Sequence, residues 1–309
     1  MKLDRRTFVT AAAGSTAGLR VDTADAADLA TQGAGKHAAC LVDTTLCIGC
    51  RQCEYACNQA NSLPQPGRPF HDRTVLRHER RPTTNAFTVV NEYVGSPSPV
   101  QPDHPTTTVK VQCMHCLKPA CVSACIVGAL TKTDDGAVVY NPDICIGCRY
   151  CMIACPFEIP AYEYDHPVLP RVRKCEFCVG REGVAGANPA CAAACPTEAI
   201  VFGTRAELLE LARSRIEQRP DRYVNHIYGE NEAGGTSWMY LTGRPPEELG
   251  LTPMPDVAAA ETTEAIQHGI FRFGALPIAL YGLFGGLMWR SHRKNRIASE
   301  DVDDEGGAA

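Results

Sequence analysis

The sequence has no excess of basic residues: 30 lysines and arginines against 35 aspartates and glutamates leave a net charge of −5. Nucleic acid is not an expected partner, because phosphate binding needs a basic face. There is no Ser/His/Asp arrangement and no carboxylate set placed for acid–base chemistry. No nickel, molybdenum or flavin motif appears either, so catalysis on a substrate is not expected of this chain alone. Charged residues are only 21% of the 309 positions, yet apolar residues reach 45%, which excludes a wholly disordered chain. The abundant residue is cysteine. There are 17, and sixteen of them fall in four groups of four between Cys47 and Cys195, with Cys40 alone.

Both ends carry targeting signals. Arg5 and Arg6, followed by Phe8 and Val9, precede a mildly apolar stretch to Val21 and an Ala-x-Ala site at Ala24–Ala26. This reads as a twin-arginine export signal, with the mature chain starting near Ala27. Near the other end, Phe273–Trp289 is 17 residues without a charge. A helix over Gly269–Trp289 would be about 30 Å long, enough for a bilayer core. Arg290, Arg293, Lys294 and Arg296 follow it, so the positive-inside rule puts that end in the cytoplasm. The expected location is the inner membrane, single-pass, with the bulk of the chain in the periplasm and a cytoplasmic C-terminus.

The quartets are variants of one pattern that differ in their middle spacing. The first is Cys47, Cys50, Cys53 and Cys57; the second Cys113, Cys116, Cys121 and Cys125. The third is Cys145, Cys148, Cys151 and Cys155; the fourth Cys175, Cys178, Cys191 and Cys195. The third, C-x2-C-x2-C-x3-C-P, is the bacterial ferredoxin run without a flaw. Disulfides would suit an exported protein, but three thiols within seven residues close only short loops. Zinc is usually fed by two C-x2-C knuckles, not by three close cysteines and a distant fourth. A cubane needs three nearby thiolates on three irons, held by a loop that curls round it. Gly49 and Gly147 permit that curl. The expectation is four [4Fe–4S] clusters. With thiolates each carries about −2, which takes the net charge to about −13. Arg51, Arg149, Lys118, Arg173 and Lys174 lie beside the quartets and are candidates to offset it.

In two-cluster ferredoxins the fourth cysteine binds the other cluster. Quartets two and three then form an inner pair, one and four an outer pair. The expected sets are Cys113, Cys116, Cys121 with Cys155, and Cys145, Cys148, Cys151 with Cys125. The outer sets are Cys47, Cys50, Cys53 with Cys195, and Cys175, Cys178, Cys191 with Cys57. Four ligands from a single quartet would refute this pairing.

The fold class expected is α+β: two interleaved dicluster ferredoxin-like units, a Pro-rich insertion and one C-terminal transmembrane helix. The boundaries read 1–26 signal, 27–60 and 171–203 outer unit, 61–112 insertion, 113–170 inner unit, 204–268 helix and peripheral segment, 269–290 membrane helix, and 291–309 tail. The insertion holds 8 of the 22 prolines and two strand-like runs, Phe87–Val94 and Thr106–Gln112. A hairpin is expected between Gly128–Leu130 and Val138–Tyr140 through Asp134-Asp135-Gly136. Thr204 and Glu207 form a capping box before a helix over Arg205–Gln218.

Taken together, the quartets resemble the four-cluster electron-transfer subunits of bacterial respiratory enzymes. These include the iron–sulfur subunits of formate dehydrogenase, nitrate reductase and dimethyl sulfoxide reductase. The iron–sulfur subunit of membrane-bound periplasmic uptake [NiFe] hydrogenase, the hydrogenase-2 type, is a closer match. The residues that carry it are the twin-arginine start, Thr44–Cys50, Gln112–Cys125, Asp143–Pro156, Phe202–Leu208, Tyr228–Gly243 and the C-terminal apolar helix. Ile126, where a proline often stands, and the extra Cys40 depart from the pattern without removing a ligand. Cys40 is expected to be buried near the first cluster. The resemblance implies an electron relay with no catalytic residues of its own. One partner would be a periplasmic catalytic subunit (the hydrogenase large and small subunits, or a formate dehydrogenase alpha subunit). The other would be an integral membrane, quinone-reactive subunit. A molybdenum enzyme remains the alternative partner, and a non-redox zinc or disulfide scaffold the alternative class.

Overall fold

The computed structural model describes residues 35–95, 106–166, 168–179, 188–261, 263–266 and 277–293. The export signal, residues 269–276 of the apolar stretch and the tail from Lys294 lie outside them.

A four-stranded sheet brackets the array. Strand β1 (Ala38–Asp43) leads into the first quartet. The second quartet is preceded by the antiparallel pair β2 (Thr88–Val94) and β3 (Thr106–Gln112), with Thr88 opposite Gln112. Helix α1 (Gln52–Ala60) carries Cys53 and Cys57, and the short α2 (Ala120–Ser123) carries Cys121. Strands β4 (Leu130–Lys132) and β5 (Val138–Tyr140) form the expected hairpin, closed by Gly136 N–H to Thr133 O. It begins at Leu130 rather than Gly128, which sits instead in a left-handed turn at φ 67°. Helix α3 (Tyr150–Ala154) carries Cys151, and β6 (Ala161–Tyr162) pairs with β7 (Val172–Arg173). Helix α4 (Ala190–Ala193) carries Cys191; β8 (Ile200–Thr204) follows the fourth quartet.

Thr204 caps helix α5 (Arg205–Gln218), and the reciprocal bond from Glu207 is present. The remaining strands are β9 (Ile227–Tyr228) and β10 (Trp238–Leu241). The sheet order is β8-β1-β10-β9, with β1 antiparallel to β8 and parallel to β10. The segment before quartet one and the segment after quartet four therefore join as neighbouring strands. Leu208, Leu209, Ala212 and Ile216 of α5 pack on Ala39, Leu41, Met239 and Leu241 of the sheet, while the other face packs toward the cysteines around Trp238 and Val42.

Residues 277–293 are helical, and Ile278, Tyr281, Phe284, Leu287 and Trp289 are all exposed on it. No helix among the described residues is long and apolar enough to cross a membrane.

Candidate metal centres

The backbone curls the same way in every quartet. The residue before the second cysteine is left-handed in all four: Gly49 and Gly147 at φ 64° and 70°, but also His115 and Phe177 at 47° and 62°. A carbonyl-side clash disfavours that conformation for residues with a Cβ, so its recurrence marks a loop wrapped round something. At Gly49 an added Cβ would stand 2.8 Å from Thr108 Cγ2, so the curl also lies tight against β3. The loops present N–H groups to sulfur: Gly147 to Cys145 Sγ at 3.4 Å, Phe177 to Cys175 Sγ at 3.4 Å, and Ala129 to Cys125 Sγ at 3.1 Å. Such bonds stabilise thiolate charge.

Two buried cavities collect the outer cysteines. One is lined by Cys47, Cys50, Cys53 and Cys195, the other by Cys57, Cys175, Cys178 and Cys191. Each joins one quartet to a residue of the other. Helices α1 and α4 pack together between the two cavities and carry Cys53, Cys57 and Cys191. The inner quartets cross in the same manner. Burial raises the Cys116 thiol, and Cys113, Cys155 and Cys121 raise it further as near neighbours. Cys151 likewise has Cys125, Cys145 and Cys148 around it. Cys40 is fully buried in β1, and burial pushes its thiol well up, with Cys191, Cys175 and Cys178 close enough to raise it further. It thus lies by the second outer cavity rather than the first, because β1 pairs with β10 and sets Cys40 opposite Trp238, which lines that cavity.

Among the described residues no three His, Cys, Asp or Glu side chains converge tightly enough to hold one ion. A zinc ion needs its thiolates about 3.8 Å apart, given a bond of about 2.3 Å. Thiolates that each meet a different iron of a cube stand farther apart. The donor set suits a cluster: sulfur only, largely buried in the two outer cavities and supplied with N–H donors.

Of the cations noted in the sequence, Arg51 is engaged by Glu54 at 2.7 Å, Arg173 by Glu163 at 2.6 Å, and Lys118 meets Glu261 at 3.7 Å. Arg149 lies over Tyr162 and Tyr164, and buried Lys174 donates to the carbonyls of Val138 and Cys175. Two lysines stand out only in the structure. Lys132 donates to the Cys116 and Gly136 carbonyls at 2.8 and 2.7 Å. Lys110 borders both outer cavities. Nothing in the local pattern Thr-Val-Lys-Val-Gln of β3 signals an inward lysine.

Burial leaves the iron-free thiols reluctant to ionise. Cys57 and Cys121 are pushed up to about 12 and Cys151 to about 11, from an ordinary 9.0, with burial the main cause each time. A thiol whose folded value is raised adds stability below pH 9, and that stability is lost as pH climbs through the folded value. The melting temperature of the iron-free chain should therefore fall between pH 9 and pH 12. The cluster-loaded chain, its sulfurs already deprotonated and held by iron, should show a shallower slope. Equal slopes in scanning calorimetry would contradict this account of the thiols.

Comparison with known proteins agrees with the geometry. Residues 106–205 match the 4Fe-4S dicluster domain family. A protein of Nitratidesulfovibrio vulgaris is 44% identical over 97% of this chain and 80% of its own length. The hydrogenase-2 operon protein HybA of Escherichia coli O157:H7 is 35% identical, covering 86% of this chain and 87% of its own. The nitrate-inducible formate dehydrogenase iron–sulfur subunit of Escherichia coli K12 is 32% identical over the same shares. Sulfur-lined cavities fed by ferredoxin-type loops, in a chain with such relatives, bind [4Fe–4S] clusters. The chain belongs to the family of iron–sulfur electron-transfer subunits that includes HybA and the formate dehydrogenase iron–sulfur subunits.

Proposed function

We propose that this chain holds four [4Fe–4S] clusters in a row and passes electrons between a periplasmic [NiFe] hydrogenase and a quinone-reactive membrane subunit. The observation that carries the reading is the pair of outer cavities, each lined by four cysteines drawn from two quartets. The ligand sets are Cys47, Cys50, Cys53 and Cys195; Cys57, Cys175, Cys178 and Cys191; Cys113, Cys116, Cys121 and Cys155; Cys125, Cys145, Cys148 and Cys151. That order along the row is supported by neighbouring sulfurs across each junction. Cys53 lies near Cys191, Cys175 near Cys113, and Cys121 near Cys151.

A cluster supplies a one-electron couple with little rearrangement; the chain supplies spacing, sulfur hydrogen bonds and insulation from water. The last set reaches the surface. Cys148 is exposed, and Ile144, Ile146, Tyr150 and Ile153 around it are exposed too. This end is suited to exchange electrons with another subunit. Hydrogenase is favoured over formate dehydrogenase because HybA is the more similar of the two named relatives. The second reading replaces hydrogenase by a molybdenum-containing formate dehydrogenase.

The helical residues 277–293, apolar from Pro277 to Trp289 and uncovered, support a membrane anchor when the uncharged sequence before them, from Phe273, is counted with them. An anchor of this kind, with the twin-arginine pattern at Arg5 and Arg6, supports a periplasmic location for the row of clusters. The test is gentle solubilisation of membranes under anaerobic conditions, followed by analysis of what co-purifies. Nickel with a hydrogenase large subunit is the expected result; molybdenum would select the second reading, and neither metal would sink both. A chain ended after His268 should move to the soluble fraction. Retention in carbonate-washed membranes would refute the anchor.

A further inference from the structure

Lys110 enters the interior from β3 with its side chain almost wholly buried at 2% exposure. Its ammonium group donates to Gln112 Oε1 at 2.8 Å and lies 4.1 Å from the centre of the Trp238 ring. Gln112 Nε2 in turn donates to the Tyr240 hydroxyl at 2.8 Å, and that hydroxyl donates to the Lys110 carbonyl at 2.8 Å. The ring of bonds closes on itself and fixes the lysine. Among the described residues no carboxylate forms a salt bridge with it. Taking an ammonium from water is costly unless an anion offsets it, and one amide oxygen with an indole face offsets only part.

The missing anions are identified by position. Lys110 lines the cavity of Cys47, Cys50, Cys53 and Cys195, and also that of Cys57, Cys175, Cys178 and Cys191. Resting on the cluster assignment above, we propose that Lys110 is the shared counter-charge of the two outer clusters and sets the potentials of both. Each thiolate-bound cluster carries about −2 oxidised and −3 after taking one electron from its redox partner. A fixed positive charge favours the more negative state, so Lys110 raises both potentials. Other buried cations near the sulfurs do not share this position. Arg51 lines only the first of the two cavities and is held by Glu54, and Lys132 and Lys174 donate to backbone carbonyls beside the inner hairpin. Lys110 is a positioning residue for electrons and touches no substrate.

The experiment is an EPR-monitored redox titration of the full, cluster-loaded chain as wild type, Lys110→Gln and Lys110→Arg. Lys110→Gln should lower two of the four cluster couples. At the wild-type midpoint their reduced-to-oxidised ratio should fall tenfold or more, about 59 mV for a one-electron couple. The other two should move less, and Lys110→Arg should leave all four near wild type. If Lys110→Gln loses about eight irons while Lys110→Arg keeps about sixteen, charge is needed to hold the pair, which also supports the proposal. Unchanged potentials in a fully loaded Lys110→Gln would overturn it, as would an equal shift of all four couples or equal iron loss in both variants. A wild-type chain without cluster signals would instead overturn the assignment beneath it.

Discussion

Alanine at Cys195 should cost the chain the cluster that begins at Cys47, although 148 positions separate the two residues. Iron in the anaerobically purified protein should fall from about sixteen to about twelve atoms per chain, four for each cube. A single replacement cannot say which cluster was lost, so the informative variants are double. Cys47→Ala with Cys195→Ala should lose no more than Cys195→Ala alone, because both residues line one cavity. Cys175→Ala with Cys195→Ala should lose about eight, because Cys175 lines the other. The reverse pattern would mean that each quartet serves its own cluster. Electron transfer through the complex should stop in any of these variants. In the proposed row the carriers have no bypass, and the lost cube would sit at one end of it, next to only one other set.

The physical reason for crossing lies in the helices. The fourth cysteine of the first quartet is on α1, one turn beyond Cys53, so the two sulfurs leave the same helix at different heights. Cys53 faces the loop of its own quartet, whereas Cys57 reaches past the helix toward the loop of Cys175 and Cys178. Packing of α1 on α4 sets Cys191 in the cavity of Cys57, while Cys195, beyond the end of α4, lines that of Cys53. The inner helices α2 and α3 repeat the arrangement around Cys121 and Cys151.

Much of this was legible because it depends on short sequence intervals. The capping box at Thr204 and Glu207 and the hairpin at Asp134-Asp135-Gly136 are local chemistry, and both lie where their residues suggest. So are the strands of the 61–112 segment, where Thr88–Val94 and Thr106–Gln112 form one antiparallel pair. What stayed hidden is set by distant partners. No local pattern predicts that Cys40 will lie opposite Trp238 in a parallel register, which is what brings that cysteine to the second outer cavity. His115 and Phe177 occupy the left-handed site that glycine fills in the other two quartets, a conformation their side chains do not advertise. Contact offsets the strain: the two rings meet edge to face at 4.9 Å, and Phe177 meets Trp238 at 5.8 Å. This joins the loop of the second quartet to that of the fourth, and so the inner pair of sites to the outer pair. The burial of Lys110 is equally non-local, since it follows from the position of β3 beside both outer cavities.

Glu54→Ala should be the most destabilising single change outside the cysteines. The carboxylate is buried on α1 between Cys53 and Cys57 and binds three groups at once. Arg51 donates through Nε at 3.0 Å and Nη2 at 2.7 Å, Arg80 through Nη2 at 2.5 Å, and the Val90 amide at 2.7 Å. Arg51 also donates to the carbonyls of Pro69 and Asp72, and Arg80 to that of Val90. One carboxylate therefore fastens the segment after the first quartet, and the edge of β2, to the helix that carries two ligands. Its removal strands Arg51, only 2% exposed, as an unpaired buried charge. Breaking such a pair costs about 3–5 kcal/mol, a large part of the stability of a typical domain. For a chain of this size the melting temperature should drop by about 10 °C. Arg80→Ala removes a partner that is 24% exposed and should cost less. The order of the two variants matters more than either value. If Glu54→Ala and Arg80→Ala melt together, water reaches Arg51 and the ion cluster is a surface feature. If Glu54→Ala melts far lower and loses iron from the Cys47 cavity first, the cluster loop depends on the insertion that grips it.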